Sequence, residues 1–504
     1  MRFKVESYSE IKAHELAGQI KSGEITAEEV AKNMLDRIEE KNSTINAYIT
    51  VQPELVIEEA RAVDKKINNG LPTGELAGVP VAIKDAICTK NLETTCGSKI
   101  LEGFIPPYDA SVITRLREAD AVILGKTNMD QFGMGSSNEN SAFDICRNPL
   151  DITRVTGGSS GGSAAALSSK MAMLALGEDT GGSIRQPASF CGIVGLKPTY
   201  GRVSRYGVIA YGSSLDQVGP MAGNVEDCAH LLSVIAGHDP LDTTSSLKKV
   251  SDYQLSLRRG IKGVRIGVPE EYLTTGLDVV VKDSIVRGIE RLETLGADIT
   301  SVRLPHTEYA IATYYILVTA EASSNLARYD GVKYGARGKD YSNPKNENML
   351  RIASKEEKLG YDRLNDMYKL TRSEGFGTEV KRRIMLGTYV LSAGYYEAYY
   401  DKAQRVRTLI KEDFDKAFEQ VDLLVAPTTP TPAFEIGEKT DDPLKMYLSD
   451  VYTVPINLAG LPAISIPSGL SPEGMPIGLQ IIGPHFGEEL ILQTAYAFEE
   501  ATQI

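Results

Sequence analysis

Residues 157–190 read GGSSGGSAAALSSKMAMLALGEDTGGSIRQPASF. Two Gly/Ser clusters flank one apolar run, and neither cluster holds a Lys or His. SGGSAAALSSK fits a helix whose N-terminus falls at Ser159–Gly161. MAMLAL at 171–176 fits a buried strand. DTGGS then turns into a short helix, IRQPASF, which Pro187 interrupts. A strand ending in Thr-Gly-Gly-Ser presents successive backbone N–H groups with no side chains in the way. That is one way to build an oxyanion hole.

Other readings of the clusters fail on context. A P-loop needs a Lys that reaches the terminal phosphates, and residues 157–163 have none. A dinucleotide fingerprint needs a buried strand before its glycines. CRNPLDITRVT is polar and carries Pro149, so no such strand is expected. Gly157–Gly161 matches G-x-S-x-G, but that elbow also follows a strand and needs a later acid and His. The five histidines, His14, His230, His238, His306 and His485, stand in no site-like context. Ordinary turns remain the plain alternative for each cluster taken alone.

Outward from this stretch the pattern repeats. Apolar runs at 79–83, 121–124, 264–268, 422–426, 463–466 and 478–482 read as short buried strands. Helical segments separate several of them, such as 279–297. The expected fold is α/β, with a largely covered, mostly parallel or mixed sheet. The first 70 residues read as helical. Thr26–Glu29 fits a capping box, and Pro53 opens a second helix. From about 306 to 420 the chain is again mostly helical. One domain over 1–504 is expected, with 306–420 as a helical insertion.

Composition narrows the function. The 504 residues include 54 Lys plus Arg and 67 Asp plus Glu, a formal net charge of −13. Such a chain is poorly suited to gripping a phosphate backbone over a wide face. Five irregularly spaced cysteines without a C-x-x-C argue against a disulfide framework or a zinc site, and no metal is expected. MRFKVESYSEIKAHEL is too polar for a signal peptide, and no apolar run reaches the roughly 18 residues of a membrane span. A cytoplasmic location is expected.

A serine in DTGGS needs a base. Lys84 ends the apolar run GVPVAIK, and burial disfavours the charged form of a lysine. A solvated strand-end charge is the plain alternative for Lys84. GGSSGGSAAAL and DTGGSIRQPASFCGIVGLKPTYGRVSRYG, with GVPVAIKD upstream, resemble the amidase signature family over much of residues 75–220. The spacings of 75 residues from Lys84 to Ser159 and 24 from Ser159 to Ser183 are similar to that family's triad. The resemblance implies a large mixed β-sheet core covered by helices on both faces. It assigns Ser183 as nucleophile, Ser159 in a cis-peptide conformation as relay, and Lys84 as base. The N–H groups of Thr180, Gly181, Gly182 and Ser183 become the oxyanion donors.

Residues 381–407, 425–434 and 446–467 are similar to the amidotransferase branch of that family, which hydrolyses glutamine and sends ammonia to a partner protein. By that resemblance Arg383 binds the glutamine α-carboxylate and Asp450 the α-amino group. Arg grips carboxylates bidentately, so the pairing is sensible. Arg382 is the competitor within Lys381-Arg382-Arg383, and a helix or turn cap is the plain alternative for Asp450. The resemblance further implies a heterotrimer with B-type and C-type subunits. It places ATP, Mg²⁺ and most of the charged-tRNA contact in the B-type partner, with no cofactor in this chain. The acceptor is Glu-tRNA(Gln) or Asp-tRNA(Asn). A stand-alone amidase with the same triad is the alternative.

Overall fold

The computed structural model describes residues 8, 11–274, 276–338 and 361–502. Part of the polar N-terminal stretch and residues 339–360 of the expected helical block lie outside the described residues. The strands among the described residues are β1 (Tyr48–Thr50), β2 (Pro80–Lys84), β3 (Val122–Thr127), β4 (Arg147–Asn148), β5 (Asp151–Val155), β6 (Leu174–Asp179) and β7 (Val194–Lys197). There follow β8 (Gln217–Ala222), β9 (Arg265–Pro269), β10 (Asp298–Val302), β11 (Leu423–Pro427), β12 (Ala463–Leu470) and β13 (Pro476–Ile482).

Eleven of these strands make one sheet, in the order β1-β3-β2-β6-β8-β7-β12-β13-β11-β9-β10. Its centre is antiparallel and parallel pairs lie on either side, with β1 added antiparallel to β3 at one edge. β2 runs parallel to β3 and β6 on one side, and β9 parallel to β10 and β11 on the other. The helices Ser111–Glu118 and Val279–Thr294 make the β2–β3 and β9–β10 crossovers. Parallel neighbours need such crossovers, whereas the central antiparallel pairs do not. The sheet is therefore mixed, and β2, β3, β6, β7, β8, β11 and β13 are buried throughout.

The expected apolar runs all become strands, with three informative differences. The run expected at 171–176 forms its strand later, at Leu174–Asp179, so that Glu178 and Asp179 are buried strand residues. A strand does precede the first Gly/Ser cluster: β5 pairs with β4 in a separate two-stranded ribbon. Its central residues are exposed, so it lacks the signature of a buried strand. Helix Arg185–Cys191 is not interrupted by Pro187, which is its third residue. First-turn N–H groups have no intrahelical partner, so Pro costs no ladder bond there.

Local rules hold at the N-terminal helices. Thr26 and Glu29 form a reciprocal capping box at the start of helix Ala27–Ile45. Pro53 is the first residue of helix Pro53–Asn68. Helix Gly161–Ser168 is buried on nearly every side. A Cβ on Gly162 would lie 2.4 Å from the Asn128 amide nitrogen and 2.5 Å from the Ala47 carbonyl oxygen. Small residues are what allow this helix to wedge into the interior.

Among the described residues the apolar interior is one large cluster running from Ala13 to Phe498, with a small second one built on Val155, Phe190, Phe434 and Met475. Against it stand fully buried Lys84, Lys126, Arg185 and Lys197. A buried charge persists only when it is paired and hydrogen-bonded. These residues mark where the chain has kept polar chemistry inside.

Candidate active site

The site forms where β2 and β6 end. The two strands are parallel neighbours, with Ile83 opposite Leu176, so their C-terminal ends share one edge. Ligand sites in α/β sheets commonly lie at that edge. Lys84 is the last residue of β2 and is fully buried. Its Nζ donates to Ser159 Oγ at 2.8 Å, to the Glu178 carbonyl at 2.9 Å and to Glu178 Oε2 at 2.9 Å. The plain alternative of a solvated Lys84 is excluded by this burial.

Backbone shape places Ser159. The Gly158–Ser159 peptide is cis, and Gly157 has φ +77°. A Cβ on Gly158 would lie 2.1 Å from Asp130 Oδ2. Gln186 accepts from the Gly158 N–H at 2.8 Å and donates to the Ser136 carbonyl at 2.6 Å. The Ser160 N–H donates to the Ser183 carbonyl at 3.1 Å. The two Gly/Ser clusters are thus stitched together by backbone, and the lysine of β2 reaches the first of them.

The turn bearing Ser183 is clamped from below. Arg185, fully buried, donates to both Asp179 oxygens at 3.1 Å, to Gln480 Oε1 at 2.6 Å and to Asn457 Oδ1 at 2.5 Å. Burial alone would raise the Asp179 pKa. The Arg185 guanidinium more than offsets that and holds the carboxyl well below the usual range. Asp179 in turn accepts from the Gly182 N–H at 2.8 Å and from the Ile184 N–H at 3.1 Å. This corrects one expectation: the Gly182 N–H is committed to Asp179, so it is not a free oxyanion donor in this state. The glycines remain necessary. A Cβ on Gly181 would sit 2.7 Å from the Tyr314 hydroxyl, and one on Gly182 2.2 Å from Thr453 Oγ1.

Arg383 and Arg382 separate cleanly. Both lie on helix Thr378–Val390 and both reach Glu379. The Arg382 side chain is 41% exposed and that of Arg383 is 3% exposed. Arg383 donates to Glu379 Oε1 at 2.7 Å and to the Tyr211 hydroxyl. The rings of Tyr211, Tyr315 and Tyr447 lie 5.8, 5.1 and 5.4 Å from its guanidinium carbon, which is cation–π range. Asp450 is buried in the turn Leu448–Asp450 and accepts from Ser136 Oγ at 2.5 Å. Its Oδ1 has no hydrogen-bond partner among the described residues. Burial pushes its pKa up to about 7, against the lowering effects of Ser136 and Arg383. Buried carboxylate oxygens are rarely left unpaired.

Several residues of this site escape sequence reading. Glu178 is one, because an acid inside an apolar run looks like the end of a strand. Its presence beside Asp179 in LALGED is the available signal. Tyr211, Tyr314, Tyr315 and Tyr447 come from distant segments, and only the fold gathers them. Asp216 lies beyond Glu178. Thr180 Oγ1 stands 2.6 Å from Glu178 Oε1 and 2.7 Å from Asp216 Oδ1. Burial, aided by the Glu178 charge, pushes Asp216 up to about 8. The five cysteines are free and buried. Among the described residues no group of His, Cys, Asp and Glu could hold a metal ion, and no helix is long and apolar enough to cross a membrane.

Comparison with known proteins gives a consistent result. The Amidase family model matches residues 29–492. The A-type subunit of glutamyl-tRNA(Gln) amidotransferase from Geobacter sp. (strain M21) is 56% identical over 490 residues, 97% of each chain. The protein of the same name from Carboxydothermus hydrogenoformans is 57% identical over 493 residues, 98% of this chain and 97% of that one. The crystal structure of the corresponding A-type protein from Thermotoga maritima superposes with a TM-score of 0.76 at 41% identity. The match covers 94% of this chain and 91% of that one.

Proposed function

The chain belongs to the amidase family, and we propose that it is the glutamine-hydrolysing subunit of a tRNA-dependent amidotransferase. The full-length similarity to proteins of that name supports the reading. The observation that carries it to the substrate is the pairing of a buried, tyrosine-ringed Arg383 with a buried Asp450 whose Oδ1 lacks a partner among the described residues. Glutamine is a zwitterion. Arg383 takes its α-carboxylate and Asp450 its α-ammonium, leaving the side-chain amide for Ser183.

In the chemical step Ser183 attacks the amide carbon and its proton passes through Ser159 toward Lys84. A serine hydroxyl is a weak nucleophile until such a relay removes its proton. Ser159 accepts one proton and donates another. The carbonyl π pair moves onto oxygen, which the N–H groups of Thr180, Gly181 and Ser183 stabilise. Gly182 joins them only if Asp179 releases its N–H. Each such donor contributes about 3 kcal/mol in comparable sites. The relay then protonates the nitrogen, the C–N bond breaks and ammonia leaves. Water resolves the acyl-enzyme by the same path.

The partners in this reading are B-type and C-type subunits in a heterotrimer. ATP, Mg²⁺ and most of the charged-tRNA contact belong to the B-type partner, in keeping with a net charge of −13 here. The ammonia amidates Glu-tRNA(Gln), or Asp-tRNA(Asn), in the cytoplasm. Arg383→Ala tests the substrate assignment. It should abolish glutamine turnover and spare a small neutral amide. Equal loss on both substrates counts against the glutamine role of Arg383.

A further inference from the structure

A lysine base must be neutral when it takes a proton, yet Lys84 is ion-paired with Glu178. Its three acceptors, Ser159 Oγ, the Glu178 carbonyl and Glu178 Oε2, match the three N–H donors of an ammonium. An ammonium so held has no lone pair to offer Ser159. We propose that Glu178 is the proton acceptor behind Lys84, so that Lys84 carries the proton onward and Glu178 stores it during attack. The inference rests on Ser183 being the nucleophile, not on the identity of the amide.

The step balances. One Lys84 N–H bond breaks and a Glu178 Oε2–H bond forms, leaving a neutral amine and a neutral carboxyl. Rotation about Cε–Nζ aims the lone pair at Ser159. The Ser159 proton moves to Lys84, the Ser183 proton moves to Ser159, and the Ser183 Oγ–carbon bond forms. The tetrahedral oxyanion then faces a cationic Lys84 with no competing carboxylate charge beside it. When the C–N bond breaks, Lys84 returns its proton through Ser159 to the leaving nitrogen. Glu178 then gives its stored proton back to Lys84, restoring the ion pair.

The surroundings fit this role. Glu178 Oε1 is held by Thr180 Oγ1, which has one proton and two carboxyl oxygens within reach. Burial, with the Glu178 charge next, pushes Asp216 up to about 8, and the two carboxyls face the single Thr180 hydroxyl proton from either side. With that proton turned to Oε1, Glu178 accepts from Thr180 on one oxygen and from Lys84 on the other. The other titratable groups facing the pair are Asp130 and Cys96. Asp130 is pushed up to about 6 by burial against its backbone N–H partners, and burial raises Cys96 well above its usual value. Asp85 also faces Cys96, and it is paired with buried Lys126 at 3.4 Å. Glu178 is the carboxylate in contact with Lys84.

The test uses a fluorophosphonate, which reports attack by Ser183 without needing glutamine, tRNA or protonation of a leaving amine. Labelling rates of the full chain are measured from pH 5.5 to 10 for the unmodified protein, Glu178→Gln and Glu178→Asp, with Ser183→Ala as the blank. Glu178→Gln should lose about a hundredfold at pH 7, the lower range for a positioned base. It should then recover about tenfold per pH unit toward alkaline pH, because Lys84 must now lose its proton to solvent. Glu178→Asp keeps the carboxylate one methylene short, and should keep the unmodified acid limb at a reduced rate. Glu178→Gln with the unmodified rate and profile overturns the proposal. So does a uniform loss without alkaline recovery, which is what a merely structural residue gives. An alkaline-shifted profile in Glu178→Asp also overturns it, and covers the case in which Glu178→Gln fails to fold. Labelling that survives Ser183→Ala refutes the nucleophile assignment instead.

Discussion

Asp450 should make glutamine binding depend on pH in a direction that the structure fixes. Its carboxyl titrates near 7 in the free protein, because burial outweighs the help of Ser136 and Arg383. Only the ionised form pairs with the α-ammonium of glutamine, which stays charged across this range. Apparent affinity falls with the ionised fraction. That fraction is about nine-tenths one pH unit above the pKa and about one-tenth one unit below it. KM for glutamine should therefore rise about tenfold from pH 8 to pH 6. Ammonia release, followed as KM and kcat separately from pH 5.5 to 8.5, reads this directly. Asp450→Asn should raise KM at pH 8 by about tenfold to a hundredfold, the value of a buried charge-assisted bond, and should flatten its pH dependence. Subtracting that variant's profile removes contributions from other groups near neutrality, such as Asp130 near 6 and Lys197 near 7. The same group predicts a stability effect. Its folded pKa lies above its unfolded value of 3.8, so the folded state holds the proton more tightly. Stability is thus lost as pH rises from about 4 to 7 and stays low above that. The shift corresponds to a penalty on the order of 4 kcal/mol at alkaline pH, so Asp450→Asn should melt higher than the unmodified chain at pH 8. A KM that stays flat from pH 8 to 6, or an Asn variant that keeps the slope, refutes the pairing of Asp450 with the α-ammonium.

Four further outcomes follow from the geometry. Arg383→Lys keeps a cation but not a fork that serves Glu379 and a carboxylate at once, so KM for glutamine should rise about tenfold or more while fluorophosphonate labelling holds. Arg185→Met leaves Asp179 buried and unpaired, and should cost about 3–5 kcal/mol in denaturant unfolding, with loss of labelling. Gly181→Ala drives its Cβ to 2.7 Å from both the Tyr314 hydroxyl and its ring carbon Cζ, so kcat should fall, and Tyr314→Phe, which keeps Cζ, should not restore it. Thr26→Ala removes the capping box far from the site, and should cost about 1 kcal/mol in stability with no change in turnover.

Legibility in the sequence follows burial. The apolar runs mark the strands because their residues lie inside on both faces, and Thr26 and Pro53 mark helix starts because caps are local. β6 reads three residues early because Glu178 and Asp179 break the apolar pattern at the point where the site begins. β5 escapes for the opposite reason: it is a strand whose central residues have no buried face. The Lys84–Ser159 contact fits the resemblance, but the ion pair to Glu178 emerges only when two parallel strands end side by side. Arg383 and Arg382 are indistinguishable as letters. One residue of helical rotation buries the first and exposes the second. The commitment of the Gly182 N–H to Asp179 is a property of the turn and has no counterpart in composition.

The most direct test is ammonia release from glutamine by the purified chain, first alone and then with its co-expressed partner proteins, ATP and glutamyl-tRNA. A coupled glutaminase gives weak release alone and a strong rise with the full set. Robust turnover of simple amides that ignores both glutamine and the partners would contradict that role.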